Sequence, residues 1–266
     1  DWRPSATIPR LRERAALLAA TRRFFAARGV LEVDTPIAVA HAVTDVQLSS
    51  ASVQLPGQRA PLALHTSPEY AMKRLLCAGS PDIYQVCHVF REGERGRRHN
   101  PEFTMVEWYR LGIDHHALMD DVERLLRRLL EPRRAVGPTV KVTYAEAFER
   151  TLGIDPLTCD VATLRRAIAD HGGSVPESMA EAARDDLLDL AMGTLVAQSF
   201  AADRITFLHD FPASQAALAR LRGPVASRFE AFWGPLELAN GFHELGDARE
   251  QRARFEADLA ERGARQ

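Results

Sequence analysis

The chain has 266 residues, a formal net charge of −2 and 46% hydrophobic residues. Such values are ordinary for a globular protein with a sizeable core, and they exclude a general basic field that would bind long nucleic acids. The three cysteines are scattered without C-x-x-C spacing, which fits a reducing compartment. No apolar run approaches the roughly 18 residues of a membrane span and no secretory signal opens the chain, so we predict a cytoplasmic protein without membrane association.

The first third of the chain is predicted to combine helices with short strands. Apolar residues recur at helical spacing after Pro9, Gly29 suits the position after a helix end, and Ser67 followed by Pro68 suits a helix start. The predicted elements are a helix over 9–28, a strand over 30–36, a loose hairpin over 47–66 and a helix over 67–79.

A hairpin over 90–110 comes next, followed by a run of helices and then further strands. Thr143 and Glu146 form a capping-box pattern at one helix start. The predicted helices cover 115–131, 143–152, 161–171, 180–200 and a charged tail from Asp247; the strands cover 205–212 and 228–242. Strands before and after a run of helices predict an α+β fold with a largely antiparallel sheet.

The first hairpin carries an unusual concentration of positive charge in "FREGERGRRHNPEFTMVEWYR", residues 90–110. Its loop holds Arg95, Arg97, Arg98 and His99, and Arg91 precedes it. Guanidinium groups match phosphate oxygens and stack on planar rings. The spacing favours a phosphate-bearing ligand, although a solvated hairpin with a salt-bridged tip remains an alternative.

Period-2 alternation along the second strand of this hairpin predicts two different faces. One face carries an aromatic ring, a carboxylate and a phenol: Phe103, Met105, Glu107 and Tyr109. The other carries Thr104, Val106 and Trp108. The first face suits a ligand with a flat ring and a cationic group.

The second hairpin, "RFEAFWGPLELANGFHEL" over 228–245, carries paired carboxylates. A tight turn near Gly234 is expected to set Glu230 opposite Glu237. Like charges directly opposite destabilise a strand pair unless a cation lies between them, and two carboxylates with phosphate oxygens suit Mg²⁺. An exposed acidic edge is the alternative. Three further residues are expected to share one face: Asn240, Phe242 and Glu244.

Three segments together resemble the class II aminoacyl-tRNA synthetases. "FFAARGVLEVDTPI" resembles their motif 1, the arginine-rich hairpin resembles motif 2 in its lysyl version with R-H-N-P-E-F-T-M, and "LELANGFHEL" resembles the lysyl run that ends in N-G-F-x-E-L. The resemblance spans residues 10 to 260. It implies a class II catalytic domain with an antiparallel sheet flanked by helices, as a single domain over 1–266.

"TSPEYAMKRLL", "EWYR" and "HDFPASQAALA" resemble a short lysyl-synthetase-like branch of this family that modifies translation elongation factor P. The resemblance implies that the chain uses ATP and Mg²⁺ to activate (R)-β-lysine, or lysine, and transfers it to a lysine ε-amine of that factor. Motif 1 builds a homodimer interface in the family, which implies a homodimer.

The resemblance also assigns residues to ligands. Arg91 would hold the α-phosphate and act in catalysis. ATP is assigned to Arg91, Glu94, His99, Asn100 and Phe103. The diamino acid is assigned to Ser67, Glu69, Glu107, Tyr109, Asn240, Phe242 and Glu244. Mg²⁺ is assigned to Glu230 and Glu237.

The sequence departs from the family pattern in three places. Gly93 stands where the family has an adenine-contacting glutamate, and we expect Glu94 to take that role. A motif 1 helix beginning near residue 9 leaves no room for the N-terminal anticodon-binding OB-fold, which implies no anticodon recognition. No motif 3 arginine segment occurs before the sequence ends, so we expect that C-terminal segment to be lacking.

Two other functions remain open at this point. One is a lysine-specific enzyme that aminoacylates tRNA or a small molecule, and the other is an inactive regulatory paralogue. Histidines outside the motifs receive structural interpretations: His115 and His116 begin a helix and are predicted to be solvated, and His209 is predicted to be structural.

Overall fold

The computed structural model describes residues 2–97 and 99–265. The chain forms two compact units, one from residues up to Gly112 together with those from Ala248 onward, the other from Ile113–Asp247. Both units combine helices with mostly antiparallel strands, so the predicted α+β class is confirmed. That the chain acts as a single catalytic domain stays a prediction.

The elements follow in chain order. The helices are α1 (Ile8–Ala26), α2 (Glu69–Cys77), α3 (His115–Leu130), α4 (Tyr144–Leu152), α5 (Val161–Asp170), α6 (Arg184–Ala191) and α7 (Ala248–Arg265). The strands are β1 (Leu31–Glu32), β2 (Ala38–Val39), β3 (Ser52–Val53), β4 (Leu62–Leu64), β5 (Ile83–Phe90), β6 (Glu102–Tyr109), β7 (Val140–Thr143), β8 (Ile205–Pro212), β9 (Leu221–Arg222), β10 (Val225–Trp233) and β11 (Leu236–Phe242). None of the described helices has the length and apolar character needed to cross a membrane.

In the first unit, α1 covers one face of the β5–β6 hairpin. The Phe25 ring stacks on Tyr84 with centroids 4.3 Å apart and contacts Trp108 at 5.3 Å. On the same face, Arg14 Nη2 donates to Thr104 Oγ1 at 2.6 Å. The opposite face therefore presents Glu107 and its neighbours away from α1, as the alternation predicts.

In the second unit, the sheet order is β11-β10-β8-β7, with β9 pairing to β10. Helices α4, α5 and α6 bury a core on one sheet face that includes Phe148, Leu164, Leu187, Leu208 and Phe232. The predicted capping box at α4 is confirmed: Glu146 N donates to Thr143 Oγ1 at 3.1 Å, and Thr143 N donates to Glu146 Oε2 at 3.0 Å.

Three element bounds differ from the predictions. The strand expected over 30–36 is reduced to β1, because only two residues pair with β5. The helix expected over 180–200 divides into α6, a π-helical turn over 192–196 and a 3₁₀ turn over 197–199. Helix α2 begins at Glu69, although Ser67 Oγ still accepts the Glu69 N–H at 3.0 Å.

Candidate functional site

A carboxylate held by two hydroxyl groups forms the centre of the site in the first unit. Ser67 Oγ donates to Glu107 Oε2 at 2.6 Å, and Tyr109 OH donates to Glu107 Oε1 at 2.8 Å. Ser67 lies in the turn before α2, whereas Glu107 and Tyr109 share one face of β6. The structure thus brings together three residues predicted to bind the diamino acid.

Glu69, a fourth predicted residue, extends this network through its backbone and its side chain. Glu69 N donates to Ser67 Oγ at 3.0 Å, and Lys73 Nζ, one helical turn later, donates to Glu69 Oε1 at 2.6 Å. Hydrogen bonds therefore link two carboxylates, two hydroxyls and one ammonium. The connection at Glu69 passes through its backbone N–H. Opposite charges at this spacing also stabilise α2 locally.

The charge state of Glu107 reflects its surroundings. Burial raises the pKa of Glu107 to about 7 and the charge of Glu69 adds to the rise, while hydrogen bonds from Ser67 and Tyr109 and the charge of Lys73 oppose it. The described neighbours of Glu107 do not supply enough positive charge to keep the pKa of its carboxyl in the ordinary range. Glu107 suits a ligand that brings an ammonium group.

The motif 2 arginine lies at the end of β5, close to two other predicted ATP residues. Arg91 Nη1 lies 3.6 Å from Glu94 Oε1, and its guanidinium carbon lies 5.2 Å from the centroid of the Phe103 ring. Gly93 adopts φ +83°, a conformation that favours glycine. A glutamate at position 93 would therefore be strained. Glu94, one residue later, is the carboxylate that lies near Arg91.

The loop between β5 and β6 presents its predicted phosphate-binding groups to solvent. Arg95, Arg97, His99 and Asn100 are exposed, and Gly96 N donates to the His99 carbonyl at 3.1 Å. Arg98 lies outside the described residues. An exposed cationic loop with fixed backbone turns suits the capture of phosphates, and the individual roles stay predictions.

The register of the second hairpin differs from the expectation. The turn does fall at Gly234, but Glu230 pairs with Asn240, and Glu237 pairs with Phe232. The expected pairing of Glu230 with Glu237 is wrong because the two turn residues are Gly234 and Pro235, and a β-bulge between Ala231 and Phe232 shifts the register by one further residue. The two carboxylates are therefore not direct cross-strand neighbours.

Arg228 lies on the same face of the β10–β11 hairpin as Glu230 and donates hydrogen bonds to several groups there. Arg228 Nη2 donates to Glu230 Oε1 at 2.6 Å, Arg228 Nε donates to Asn240 Oδ1 at 3.3 Å, and Arg228 Nη1 donates to the Gln215 carbonyl at 2.9 Å. Its guanidinium lies 4.4 Å from the Phe211 ring centroid. Glu230, only 8% exposed, is thus charge-compensated by a neighbour on its own strand.

The donor chemistry of this hairpin fits a magnesium ion that also binds phosphates. Cross-strand pairing places Glu230 and the exposed Glu237 on adjacent strands, and Mg²⁺ takes one or two carboxylates where phosphate oxygens complete its shell. Arg228 occupies one oxygen of Glu230. Over residues 2–97 and 99–265, no group of three or more His, Cys, Asp or Glu side chains is arranged to hold a metal ion.

The remaining predicted residues lie at the end of this hairpin. Phe242 pairs with Arg228 and packs against a small cluster of buried alanines, while Glu244 lies beyond β11 in a bridge with Ala219. Asn240 and Phe242 share one face of β11, as expected, whereas Glu244 lies beyond the end of that strand. Gly241 is required where it stands, because a Cβ there would lie 2.6 Å from the Phe229 ring.

Sequence reasoning missed three polar side chains that contact the predicted site residues or their neighbours. These are Lys73, Arg228 and Gln85. Gln85 pairs with Glu107 across the hairpin, is 1% exposed, and accepts from Thr35 Oγ1 at 3.0 Å. Its amide nitrogen has no hydrogen-bond partner among the described residues. The sequence signal that could have identified Gln85 is a polar residue within an otherwise largely apolar strand.

A second charged cluster in the second unit surrounds Asp210. Arg222 Nη2 donates to Asp210 Oδ1 at 2.6 Å, His209 Nδ1 lies 3.1 Å from Oδ2, and His115 Nε2 lies 3.4 Å from Oδ1. His116 is exposed as predicted, but the prediction that His115 is solvated is wrong, since it is 2% exposed. Packing of α3 on the sheet buries it.

Comparison with known proteins places these features in a family. A family model described as tRNA synthetases class II (D, K and N) matches residues 1–265. The chain therefore belongs to the class II tRNA synthetase family.

Individual relatives carry a more specific name than the family does. The chain is 48% identical over 270 residues to the elongation factor P–(R)-beta-lysine ligase of Vibrio vulnificus (strain YJ016), covering 98% of this chain and 82% of the relative. It is 47% identical over 272 residues to proteins of the same name from Salmonella paratyphi B and Salmonella heidelberg, covering 99% of this chain and 82% of each relative.

Proposed function

We propose that this protein is an ATP-dependent ligase that activates (R)-β-lysine and transfers it to a lysine ε-amine of elongation factor P. The observation that carries the proposal is the 47–48% identity, over nearly the whole chain, to relatives named for that reaction. The Ser67–Glu107–Tyr109 arrangement supports it, because a partly buried, under-compensated carboxylate suits the ammonium group of a diamino acid.

In the first half-reaction, the substrate carboxylate attacks the α-phosphorus of ATP, and pyrophosphate leaves. Arg91 would bind the α-phosphate and stabilise the charge that develops there, with Glu94 and Phe103 holding the adenine side. The exposed loop with His99 and Asn100 would bind the outer phosphates. Glu230 and Glu237 are the residues that would hold Mg²⁺, which would supply positive charge to offset that of the phosphates.

The diamino acid would be oriented by its two amino groups. Glu107 and Tyr109, with Glu244, would bind the terminal ammonium, and Ser67 and Glu69 would bind the other amino group. Asn240 and Phe242 would fix the carboxylate and the carbon chain. In the second half-reaction, the neutral lysine amine of elongation factor P attacks the acyl carbon and AMP leaves. Catalysis is then mainly positioning and electrostatic stabilisation.

Partner and compartment follow from the same proposal. Ile8 and Leu11 on α1 are 61% and 47% exposed, which supports a homodimer through this helix. Cys77, Cys87 and Cys159 are free, which fits the reducing cytoplasm where a translation factor acts. Light scattering of the purified protein at several concentrations tests the dimer.

The deciding experiment is the intact mass of elongation factor P after incubation with the protein, ATP, magnesium and (R)-β-lysine. L-lysine and lysine tRNA are run in parallel. We expect one β-lysyl addition, faster than with L-lysine, and no addition when the acceptor lysine is replaced by arginine. Charged tRNA with unmodified factor would instead establish a tRNA-aminoacylating enzyme. Absence of any product would contradict both functions and support an inactive paralogue.

A further inference from the structure

Lysine is rare in this chain, and one of its two lysines lies beside the proposed amine-binding site. The sequence has 34 basic residues, of which only Lys73 and Lys141 are lysines. Lys73 Nζ lies 2.6 Å from Glu69 Oε1, and the two side chains are only 17% and 24% exposed. Removing the charges of a partly buried ion pair from water costs free energy, so the pair is weak evidence for stabilisation of α2. Its effect on the groups that it contacts is the more informative property.

The contacts of Lys73 lead to Glu107 through two residues. Lys73 donates to the Glu69 carboxylate, Glu69 N donates to Ser67 Oγ, and Ser67 Oγ donates to Glu107 Oε2. The negative charge of Glu69 acts on Glu107, and the positive charge of Lys73 offsets it. Two carboxylates thus share the compensation of one ammonium.

We propose that Lys73 is a positioning residue for the substrate amine, which fixes Glu69 and keeps Glu107 ionised to accept an ammonium group. The inference rests on the proposed function and deepens it, because it names the residue that sets the charge of the amine-binding site. Lys73 itself touches no substrate in this scheme and acts through Glu69 and Glu107.

The physical basis is the repulsion between neighbouring carboxylates. Without Lys73, Glu69 and Glu107 would face each other uncompensated, and such a pair retains a proton on one member. A protonated Glu107 would lose the charge that attracts an ammonium group. Substrate binding would then weaken at neutral pH and recover as the pH rises.

Among residues 2–97 and 99–265, the other groups that face Glu107 do not supply the missing positive charge. Tyr109 on β6 and Ser67 before α2 are neutral donors already bonded to it. On β5, burial and the charge of Glu107 raise the pKa of Cys87 to about 11, so that thiol is neutral at working pH. The amide of Gln85 is neutral as well. Lys73 is therefore the cation that acts on Glu107 from α2.

The test measures KM and kcat for (R)-β-lysine by ATP–pyrophosphate exchange, from about pH 6 to about pH 9, in Lys73→Met and Lys73→Arg. Lys141→Met is the matched control, because Lys141 also pairs with a carboxylate, Asp120, at 2.6 Å but on an exposed surface. An opposite charge nearby lowers a carboxyl pKa by about 1–3. Because the pKa of Glu107 is about 7, a rise of about 1 on losing Lys73 lowers the ionised fraction about fivefold at neutral pH, so KM should rise at least about fivefold, with kcat within about twofold. The deficit should shrink toward about pH 9. Lys73→Arg should restore KM to within about twofold, and the control should match the wild type.

A second readout separates this inference from the proposed function. The Glu107 side-chain carboxyl is titrated by ¹³C NMR in the wild type and in Lys73→Met, with Glu107→Gln used for assignment. We expect the midpoint to rise in Lys73→Met. An unchanged midpoint, or a KM deficit equal at every pH, overturns the role of Lys73. A wild type without any lysine-dependent exchange overturns the proposed function, while the carboxyl titration still decides the inference. If Lys73→Met does not fold, Lys73→Gln replaces it in both measurements.

Discussion

Glu107 in the first unit and Asp210 in the second are both partly buried carboxylates with several close polar neighbours, yet their pKa values are shifted in opposite directions. Burial raises the pKa of Glu107 to about 7, with the charge of Glu69 adding to the rise. Burial would also raise the pKa of Asp210, but hydrogen bonds from His115 and His209 and the charges of His209 and Arg222 hold it far below its usual range.

Burial acts to raise the pKa of both carboxyls, and the neighbours of each carboxyl decide whether that rise persists. Asp210 is paired with the Arg222 guanidinium and contacts the imidazoles of His115 and His209, which makes it a structural carboxylate. Glu107 accepts from two neutral hydroxyls and lies near the opposing charges of Glu69 and Lys73, which leaves it able to accept a cation. The comparison therefore separates a structural acid from a ligand-binding one within a single chain.

The largest expected effect comes from Asp210→Asn. Asn tolerates the φ of +58° at this position, so the substitution removes the charge without new backbone strain. Loss of the ion pair with Arg222 and of the acceptor for two histidines should lower the free energy of unfolding by about 3 kcal/mol in urea titrations. Asp203→Asn, in an exposed pair with Arg204, is the control and should show no measurable change. Equal stability of the Asp210 variant and the wild type would contradict a structural role.

Glu107→Gln should act on substrate binding. The amide keeps the shape but cannot form a charge-assisted bond with an ammonium, so kcat/KM for (R)-β-lysine should fall by about 30- to 100-fold. The measurement is lysine-dependent ATP–pyrophosphate exchange. The free energy of unfolding near neutral pH should stay the same or rise, because a buried charge is removed. An unchanged kcat/KM would mean that the amine binds elsewhere.

The two carboxylates should also give opposite pH dependences of stability. The pKa of Glu107 is raised in the folded state, so its contribution is greatest below about pH 4.5 and is lost as the pH rises through about 7, by about 3 kcal/mol. The pKa of Asp210 is lowered, so its contribution is present above the ordinary carboxyl range and is lost at acid pH.

Urea unfolding at a series of pH values measures the pH dependence of stability that each of the two carboxyls contributes. Glu107→Gln should flatten the decline between about pH 4.5 and about pH 7. Part of the decline should remain, since burial also raises the pKa of Asp189 to about 6. Asp210→Asn should instead flatten the loss at the acid end. The same slope in Glu107→Gln as in the wild type would show that Glu107 ionises normally.

The smallest expected effect comes from Tyr109→Phe, which removes one of the two hydroxyl donors to Glu107. We expect KM for (R)-β-lysine to rise about fivefold, corresponding to about 1 kcal/mol for one hydrogen bond. Tyr144→Phe is the matched control, because the buried Tyr144 hydroxyl has no hydrogen-bond partner in the described part of the chain. The control should keep KM and stability unchanged. A Tyr109→Phe variant with the wild-type KM would place Tyr109 outside the amine site.

Local sequence patterns predicted much of the fold. The β5–β6 hairpin and its two faces follow from period-2 alternation, and the capping box at Thr143 follows from contacts three residues apart. The family motifs also indicated which residues to place in the site. Within the first unit, the structure brings Ser67, Glu69, Glu107 and Tyr109 together as those motifs imply.

The register of the second hairpin could not be obtained in the same way. The bulge between Ala231 and Phe232 depends on how β10 pairs with both β8 and β11, which no local pattern encodes. The predicted opposition of Glu230 and Glu237 failed because the turn lies one residue later than expected and the bulge adds a further shift. Arg228, which compensates Glu230, was missed because an arginine two residues away on a strand has no distinctive sequence signal.

The sequence by itself determined which elements form, which faces of the strands are polar, and which family the chain resembles, because propensities, capping and alternation depend on neighbours along the chain. Only the tertiary structure decided the burial of His115, the partner of Glu230 and the opposite charge states of Glu107 and Asp210. Burial and charge compensation depend on groups that are distant in sequence, such as Lys73 and Glu69 on α2 acting on Glu107 on β6. The ionisation of a site residue is therefore a property of the folded chain.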